Sequence, residues 1–319
     1  MKRQSSRLLA LALGFLAFAA QAAWPERPVR FVVPFPAGGP ADNTMRTVAQ
    51  RLGEIWRQPT IVENRPGAPG MVFAANTAPD GYTLLLGAGS HIVTAPLMNP
   101  KLAYNPQRDF APVSLLLTNT PVLTVHPSLK VRTLKELIAL AKSKPGALAY
   151  SSAGKGSPSH LMMEMFTDLT GTDMTHVPFK GGAPAVQDLM GGHVQLGVNA
   201  TPTVLQYINT GKLTAIVVAS AKRDPALPNV PTATESGVPN FEYLIWYGIF
   251  APAKTPAAIV EKVSTDIQKV LAEPSTVQQM RIQGADPAGS SPKAFAKMIQ
   301  DDINAWSKLI KEKKLSIDE

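Results

Sequence analysis

The 319-residue sequence contains no cysteine. That excludes disulfide staples, thiolate metal ligands and a cysteine nucleophile, so an ordinary apolar core must hold the fold. It also excludes the lipidated cysteine that tethers bacterial lipoproteins. Aromatic residues amount to only 7%, and no long block of basic residues occurs. The stacking platforms and basic stripes of a nucleic-acid groove are therefore lacking, and no nucleic-acid partner is expected. The histidines (His91, His126, His160, His176 and His193) show no H-x-x-x-H pairing, so neither a metal site nor a cofactor is expected. A G-x-S-x-G nucleophile elbow and a P-loop are both missing; Gly154-Lys155 and Gly181-Gly182 lack the required spacing. Beyond residue 20, no segment approaches a membrane-spanning length without charges or prolines.

The N-terminus carries a clear signal. Lys2, Arg3 and Arg7 form a positive region, Leu8 to Ala20 an apolar run, and Ala20-Gln21-Ala22 a small-x-small cleavage site. This is the three-part pattern of a secretory signal peptide over residues 1–22. Its removal leaves a soluble exported chain, with no membrane insertion, whose expected location is the periplasm. Losing the three charges lowers the formal net charge from +8 to +5. Such a field raises the encounter rate with small anions, or serves solubility alone. The remaining length suits two domains of ~100–200 residues each.

Strands and helices alternate along the mature chain. Val29 to Phe35 is an apolar run, followed by the turn Ala37-Gly38-Gly39-Pro40 and a helical pattern from Ala41 to Trp56. Met45, Val48, Ala49, Leu52 and Ile55 share one face of that helix. Short buried strands are expected at Tyr82–Leu86, Leu148–Ser151 and Val194–Val198, and helices at Ser159–Leu169 and from Thr201 to about Tyr207. Glu242–Ala251 reads as one long buried strand, followed by helices at Pro256–Leu271, Ser275–Ile282 and Pro292–Lys313. The alternation predicts an α/β fold with largely parallel sheets. The chain is expected to cross between two lobes near Pro121–His126 and Trp246–Pro252. Lobe 1 would span 23–123 and 250–319, and lobe 2 would span 124–249.

Three Gly/Ser-rich turns join a predicted strand to a predicted helix: Pro36–Asp42, Gly87–His91 and Ser151–His160. In α/β sheets, ligands collect where such turns and helix N-termini converge. Free amides at a helix start can hold a carboxylate without a cationic side chain. Hydrogen bonds to a charged group contribute about 1.5–3 kcal/mol each. Four to six of them from two lobes could reach the roughly −8 kcal/mol of micromolar binding. Such turns also serve as plain tight connections, and both readings stand on the residues alone. A scattered triad of Asp42, Ser157 and His160 would make a periplasmic hydrolase. The structural alternatives are a dipole-favoured carboxylate at a helix start for Asp42 and a packed or capping role for His160.

At these turns the sequence resembles the tripartite tricarboxylate transporter substrate-binding receptors, the Bug family, along nearly all its mature length. The matching segments begin with Trp24-Pro25, Val29–Asp42 (VRFVVPFPAGGPAD), Val62–Gly70 (VENRPGAPG) and Pro79–Gly87 (PDGYTLLLG). They continue with Ser151–His160 (SSAGKGSPSH), Val177–Gly197 and Val230–Pro256. The resemblance implies a two-lobed periplasmic binding protein of the type II, flytrap kind, with mixed sheets flanked by helices, and no enzyme. It implies a small carboxylate ligand: a di- or tricarboxylate, an acidic amino acid or an aromatic acid, gripped partly through ordered water. It places Phe35, Ala37, Gly38 and Asp42 in the first-lobe wall, with Gly89 and Ser90 beside it. Gly154, Ser157, Ser159 and His160 would supply second-lobe contacts, bordered by Lys180, Gly181 and Gly182. The implied partner is a membrane permease or, alternatively, a sensor, and the receptor is expected to act as a monomer. Two departures stand out: Phe179 where many members have tyrosine, and Asn199 where many have aspartate. The amide at Asn199 disfavours an amino-acid ligand, because no carboxylate awaits its ammonium group.

Overall fold

The computed structural model describes residues 24–315 apart from residues 100, 284 and 314. The expected export signal at residues 1–22 lies outside the described residues. The first apolar run forms β1 (Val29–Val33) and stops where Pro34 removes a ladder donor. Helix α1 (Pro40–Trp56) opens with its proline in the first turn, where a missing N–H costs nothing. Met45, Val48, Ala49 and Leu52 are buried as expected, but Ile55 is 39% exposed and Trp56 is buried instead. At 3.6 residues per turn, position 56 follows Leu52 on the inner face and position 55 falls to its margin. The Trp56 indole N–H donates to Asp266 Oδ2 at 2.9 Å, which anchors the helix end.

The chain continues through β2 (Thr60–Asn64), α2 (Ala68–Ala75), β3 (Thr83–Ala88), a π-helical turn (Ser90–Thr94), α3 (Ala95–Met98), α4 (Pro106–Asp109) and β4 (Phe110–Asn119). Next come β5 (Pro121–Val125), α5 (Leu134–Ser143), β6 (Ala149–Ser152), α6 (Pro158–Thr170) and β7 (Thr175–Pro178). After them lie α7 (Gly182–Met190), β8 (Leu196–Ala200), α8 (Thr201–Asn209) and β9 (Thr214–Val218). The last part holds β10 (Ile245–Pro252), α9 (Ala257–Ala272), α10 (Pro274–Ile282), β11 (Asp286–Pro287) and α11 (Pro292–Glu312).

Two mixed sheets result, ordered β11-β4-β10-β3-β1-β2 and β7-β6-β8-β5-β9. In the first, β1 is parallel to β2 and β3, while β10 runs antiparallel between β3 and β4. In the second, β6 is parallel to β7 and β8, and β5 is antiparallel to β8 and β9. Helices flank both sheets, giving the expected α/β architecture. Long-range antiparallel partners from the chain's return make the sheets mixed rather than largely parallel. Sheet membership changes between Asn119 and Pro121, so one residue, Thr120, joins the two sheets. The chain returns to the first sheet at Ile245. Boundaries drawn at 123/124 and 249/250 therefore fall inside β5 and β10. The first crossing lies in the polar stretch Thr118-Asn119-Thr120, whereas the second falls within the apolar run Tyr243–Ala251, where hydrophobicity does not mark the change of sheet.

One core cluster packs β1, α1 and α9 together through Phe31, Met45, Leu52, Val263 and Ile267. Another lies within the second lobe around Val122, Val186, Leu189 and Val204. The largest runs from Val32 and Phe250 of the first sheet to Tyr150 and Leu196 of the second, by way of Tyr243 and Trp246. Among the described residues, no helix is long and apolar enough to cross a membrane.

Candidate ligand cleft

The carboxyl ends of β3, β6 and β8 converge on a cavity of about 230 Å³ between the lobes. The first lobe contributes Ala88, Gly89 and Ser90, and the second Ala153, Pro158, Ser159 and Met162. Gly182, Val198, Asn199, Ala200 and Thr203 add to the second-lobe side, and Tyr243, Ile245, Trp246 and Tyr247 close the wall. Of the residues expected at a ligand site, the cavity thus brings together Gly89, Ser90, Ser159, Gly182 and Asn199. Gly89 permits the aromatic wall to approach: a Cβ there would lie 2.8 Å from the Tyr243 hydroxyl and 3.1 Å from the Trp246 indole. The Asn199 Nδ2 group is buried without a hydrogen-bond partner.

The first glycine turn supports the cleft from beside it. The Phe35 ring sits against His91 (centroids 5.0 Å) and Tyr247 (5.5 Å), so it backs the cavity wall. Ala37 and Gly38 are exposed. Asp42 is buried and already engaged: its Oδ2 accepts from the Gly38 amide at 2.8 Å and from Arg46 Nε at 3.0 Å, and its Oδ1 accepts from Asn64 Nδ2 at 2.9 Å. Burial works to raise its pKa, but the hydrogen bonds from Arg46, Gly38 and Asn64, with the Arg46 charge, hold it below the usual carboxylate value. A carboxylate so occupied is a brace for the turn.

The second glycine turn is tied down by neutral groups. Ser157 caps α6, its Oγ accepting from the His160 amide at 3.3 Å and donating to the Gly154 carbonyl at 2.7 Å. Gly154 has φ +127°, a conformation that L side chains rarely adopt. Ser159 Oγ accepts from the Ala153 amide at 3.0 Å and meets Ser157 Oγ at 3.1 Å. His160 is buried beneath, its Nδ1 accepting from the Gly156 amide at 3.1 Å, which leaves its proton on Nε2. Its ring stacks on His176 at 4.0 Å, and His176 stacks on Tyr150 at 4.9 Å. Burial, reinforced by the Lys155 charge, pushes the His160 pKa down to about 4. Burial does the same for His176, to about 4, helped by His160 and Lys155 and opposed by Glu164.

This arrangement gives Ser157 no base. Its hydroxyl meets the backbone N–H of His160, while the imidazole Nδ1 serves another amide. Asp42 is held by the other lobe's turn. The hydrolase reading of Asp42, Ser157 and His160 thus lacks the nucleophile–base contact it requires. Lys180 is exposed, and Gly181 donates to the Ala153 carbonyl at 3.2 Å, just before α7 begins. Direct contacts already span the lobes: Thr94 Oγ1 donates to the Gly156 carbonyl at 3.3 Å, and Lys313 Nζ pairs with Asp168 Oδ1 at 3.0 Å.

The sequence reading missed Met162, Thr203, Tyr243, Trp246 and Tyr247 as cavity residues. Met162 lies on α6 just past the Ser151–His160 turn, and Thr203 in the first turn of α8, which no glycine turn precedes. The aromatic residues belong to the segment read as a buried strand, and their density was the available signal. Tyr243 and Trp246 also line a second cavity of about 620 Å³ on their other side, with Lys222, Arg223, Glu242 and Asp302 in its wall. There the Trp246 indole N–H donates to Asp302 Oδ2 at 2.6 Å.

Two α/β lobes joined by crossing strands, with strand ends and a capped helix start facing a cavity between them, define a periplasmic binding protein. Residues 44–315 match the tripartite tricarboxylate transporter family receptor, and the chain belongs to that family of receptors, which are not enzymes. It is 36% identical to Protein BugT of Bordetella pertussis over 317 residues, covering 96% of this chain and 97% of BugT. Its structure resembles that of Rhodopseudomonas palustris Rpa4515 with adipate (TM-score 0.82, 34% identity, 92% of this chain and 99% of the other). It also resembles MatC from the same organism with bound malate (TM-score 0.77, 33% identity, 90% and 100%).

Proposed function

We propose that this protein is a receptor resident in the periplasm that encloses one small organic carboxylate between its lobes and hands it to a tripartite-type permease. The observation that carries this reading is the cavity in which Gly89 and Ser90 of one lobe face Ser159 and Asn199 of the other. Ser159 lies in the first turn of α6, where backbone N–H groups have no intrahelical acceptor and the helix dipole favours negative charge. Pro158 has no N–H and Ser157 already caps the His160 amide, so the Ser159 amide, with the Ser90 and Ser159 hydroxyls, receives the carboxylate. Phe35 backs the wall; Ala37, Gly38, Lys180 and Gly181 frame the entrance, and Asp42, Gly154, Ser157 and His160 hold the two turns in shape. The bound adipate and malate of the two related structures support a carboxylate ligand here.

A thermal-shift screen of the purified protein over organic acids, with the matching amines and alcohols as controls, tests the reading. A true ligand at a hundredfold excess over its Kd should add about 2.7 kcal/mol of stability. Stabilisation by at least one acid and by none of the controls is the expected outcome. Stabilisation by no acid would overturn the proposal.

A further inference from the structure

The ligand cavity and the larger cavity of about 620 Å³ share the side chains of Tyr243 and Trp246. The Trp246 indole is 1% exposed, and its Nε1–Cε2 edge lies 3.1 Å from where a Cβ on Gly89 would stand. Gly89 precedes Ser90, whose hydroxyl is assigned to the carboxylate. The place of the indole therefore sets the width of the cavity beside that hydroxyl. Phe295 meets the indole edge-on, with ring centroids 5.4 Å apart. On the side away from the ligand lies the larger cavity, so packing alone leaves the indole room to withdraw.

One polar contact opposes that withdrawal. The indole N–H donates to Asp302 Oδ2 at 2.6 Å. Asp302 stands on α11 four residues from Met298 and from Trp306, on the helix face that lines the larger cavity. Burial pushes its pKa up to about 6, against the pull of the indole bond and with a further push from Asp301. At neutral pH it is a carboxylate, and the bond to the indole is charge-assisted. Lys222, Arg223 and Glu242 line the same cavity, but Arg223 is spent on Glu235 at 2.9 Å and Glu242 accepts from Thr234 at 3.1 Å. Among the described residues, the Trp246 N–H is the one hydrogen-bond donor to the Asp302 side chain. A largely buried carboxylate without a cation is costly to keep, which fits a part in the site better than a part in stability alone.

Resting on the carboxylate reading above, we propose that Asp302 is a positioning residue of the ligand cavity: it holds the Trp246 indole against Gly89 through its N–H, and so sets the affinity for an acid it never touches. With that bond gone, the indole backs into the larger cavity, the space beside Ser90 widens, and the acid loses its fit.

Calorimetry with adipate, malate and each acid that stabilises the protein in the thermal screen tests the proposal. Asp302→Ala should weaken the binding of every acid that binds by about tenfold or more, and Asp302→Leu should do the same if the alanine chain does not fold. Asp302→Asn, which keeps an amide oxygen for the indole N–H, should stay within about threefold of the unaltered protein. In a Trp246→Phe background there is no N–H to hold, so Asp302→Ala should change the affinity by less than about twofold. The Trp246 indole N–H resonance, identified by its loss in Trp246→Phe, should move on Asp302→Ala and again when the acid is added. Unchanged affinity in a folded alanine or leucine variant would overturn this inference and leave the carboxylate reading standing. So would a loss in Asp302→Asn as large as in Asp302→Ala, or a loss that persists without the indole. Failure of every acid in the thermal screen would instead overturn the carboxylate reading, and this inference with it.

Discussion

The two glycine turns at the cleft do the same job with different chemistry. The first is braced by an ion pair, Asp42 with Arg46, reinforced by Asn64 and the Gly38 amide. The second is braced by serine hydroxyls and neutral imidazoles: Ser152 Oγ meets His176 Nε2 at 2.7 Å, and His160 holds the Gly156 amide. The comparison teaches that a site for an anion can be stiffened without charge on one side. It also teaches that the two halves of the grip should fail at different pH.

The largest expected effect comes from acid. His160 and His176 titrate near 4 in the folded chain against an ordinary value of 6.5, so between those values the unfolded chain binds more protons. Stability contributed by the neutral rings is full above pH 6.5, falls as the pH drops towards 4, and levels off below. The loss is on the order of 2–3 kcal/mol for the buried His160 ring and smaller for the half-buried His176, whose charge solvent partly screens. Asp42, with its pKa lowered, keeps its contribution until the pH falls below the ordinary carboxylate range. Urea unfolding at pH 7, 5.5 and 4.5 should therefore show a declining free energy, and His176→Phe, which keeps the stack, should flatten the slope. Native amide exchange at pH 5 should quicken at Gly156 before Gly38; the reverse order would break the comparison.

Asp42→Ala should come next. It strands Arg46, Asn64 and the Gly38 amide, and the loss should be about 2–3 kcal/mol after allowing for the half-exposed Arg46 side chain. Chemical denaturation at neutral pH measures it, and Asp42→Asn should recover part of the loss. The smallest effect belongs to Ser157→Ala, which removes one helix cap worth about 1 kcal/mol. An equal or larger loss at Ser157 than at Asp42 would show that the charged brace adds little.

Much of the fold was legible because periodicity and punctuation agree. Strand β1, helix α1 and the three C-terminal helices stand within a few residues of where apolar spacing puts them. Strand β4 was not recognised: Pro112 and Ser114 interrupt its apolar run, and its pairing with β10 and β11 defines it. At the site, the turns announced themselves through glycine and serine, yet composition could not separate residues that face the cavity from those beneath it. Ser157 and His160 share their turn with Ser159, and Asp42 ends the other turn, but only the fold shows that Ser159 lines the cavity while the rest hold the turns in shape. The aromatic wall was hidden for a related reason. Tyr243, Trp246 and Tyr247 are near neighbours in sequence, and their cavity-facing role depends on Gly89, more than a hundred residues away.

Thr120 is the whole length of chain between β4 and β5, and its carbonyl is gripped by the Thr201 amide and hydroxyl, each at 2.9 Å. With one residue of slack, the sheets cannot slide or draw apart there; they can only swing about that point.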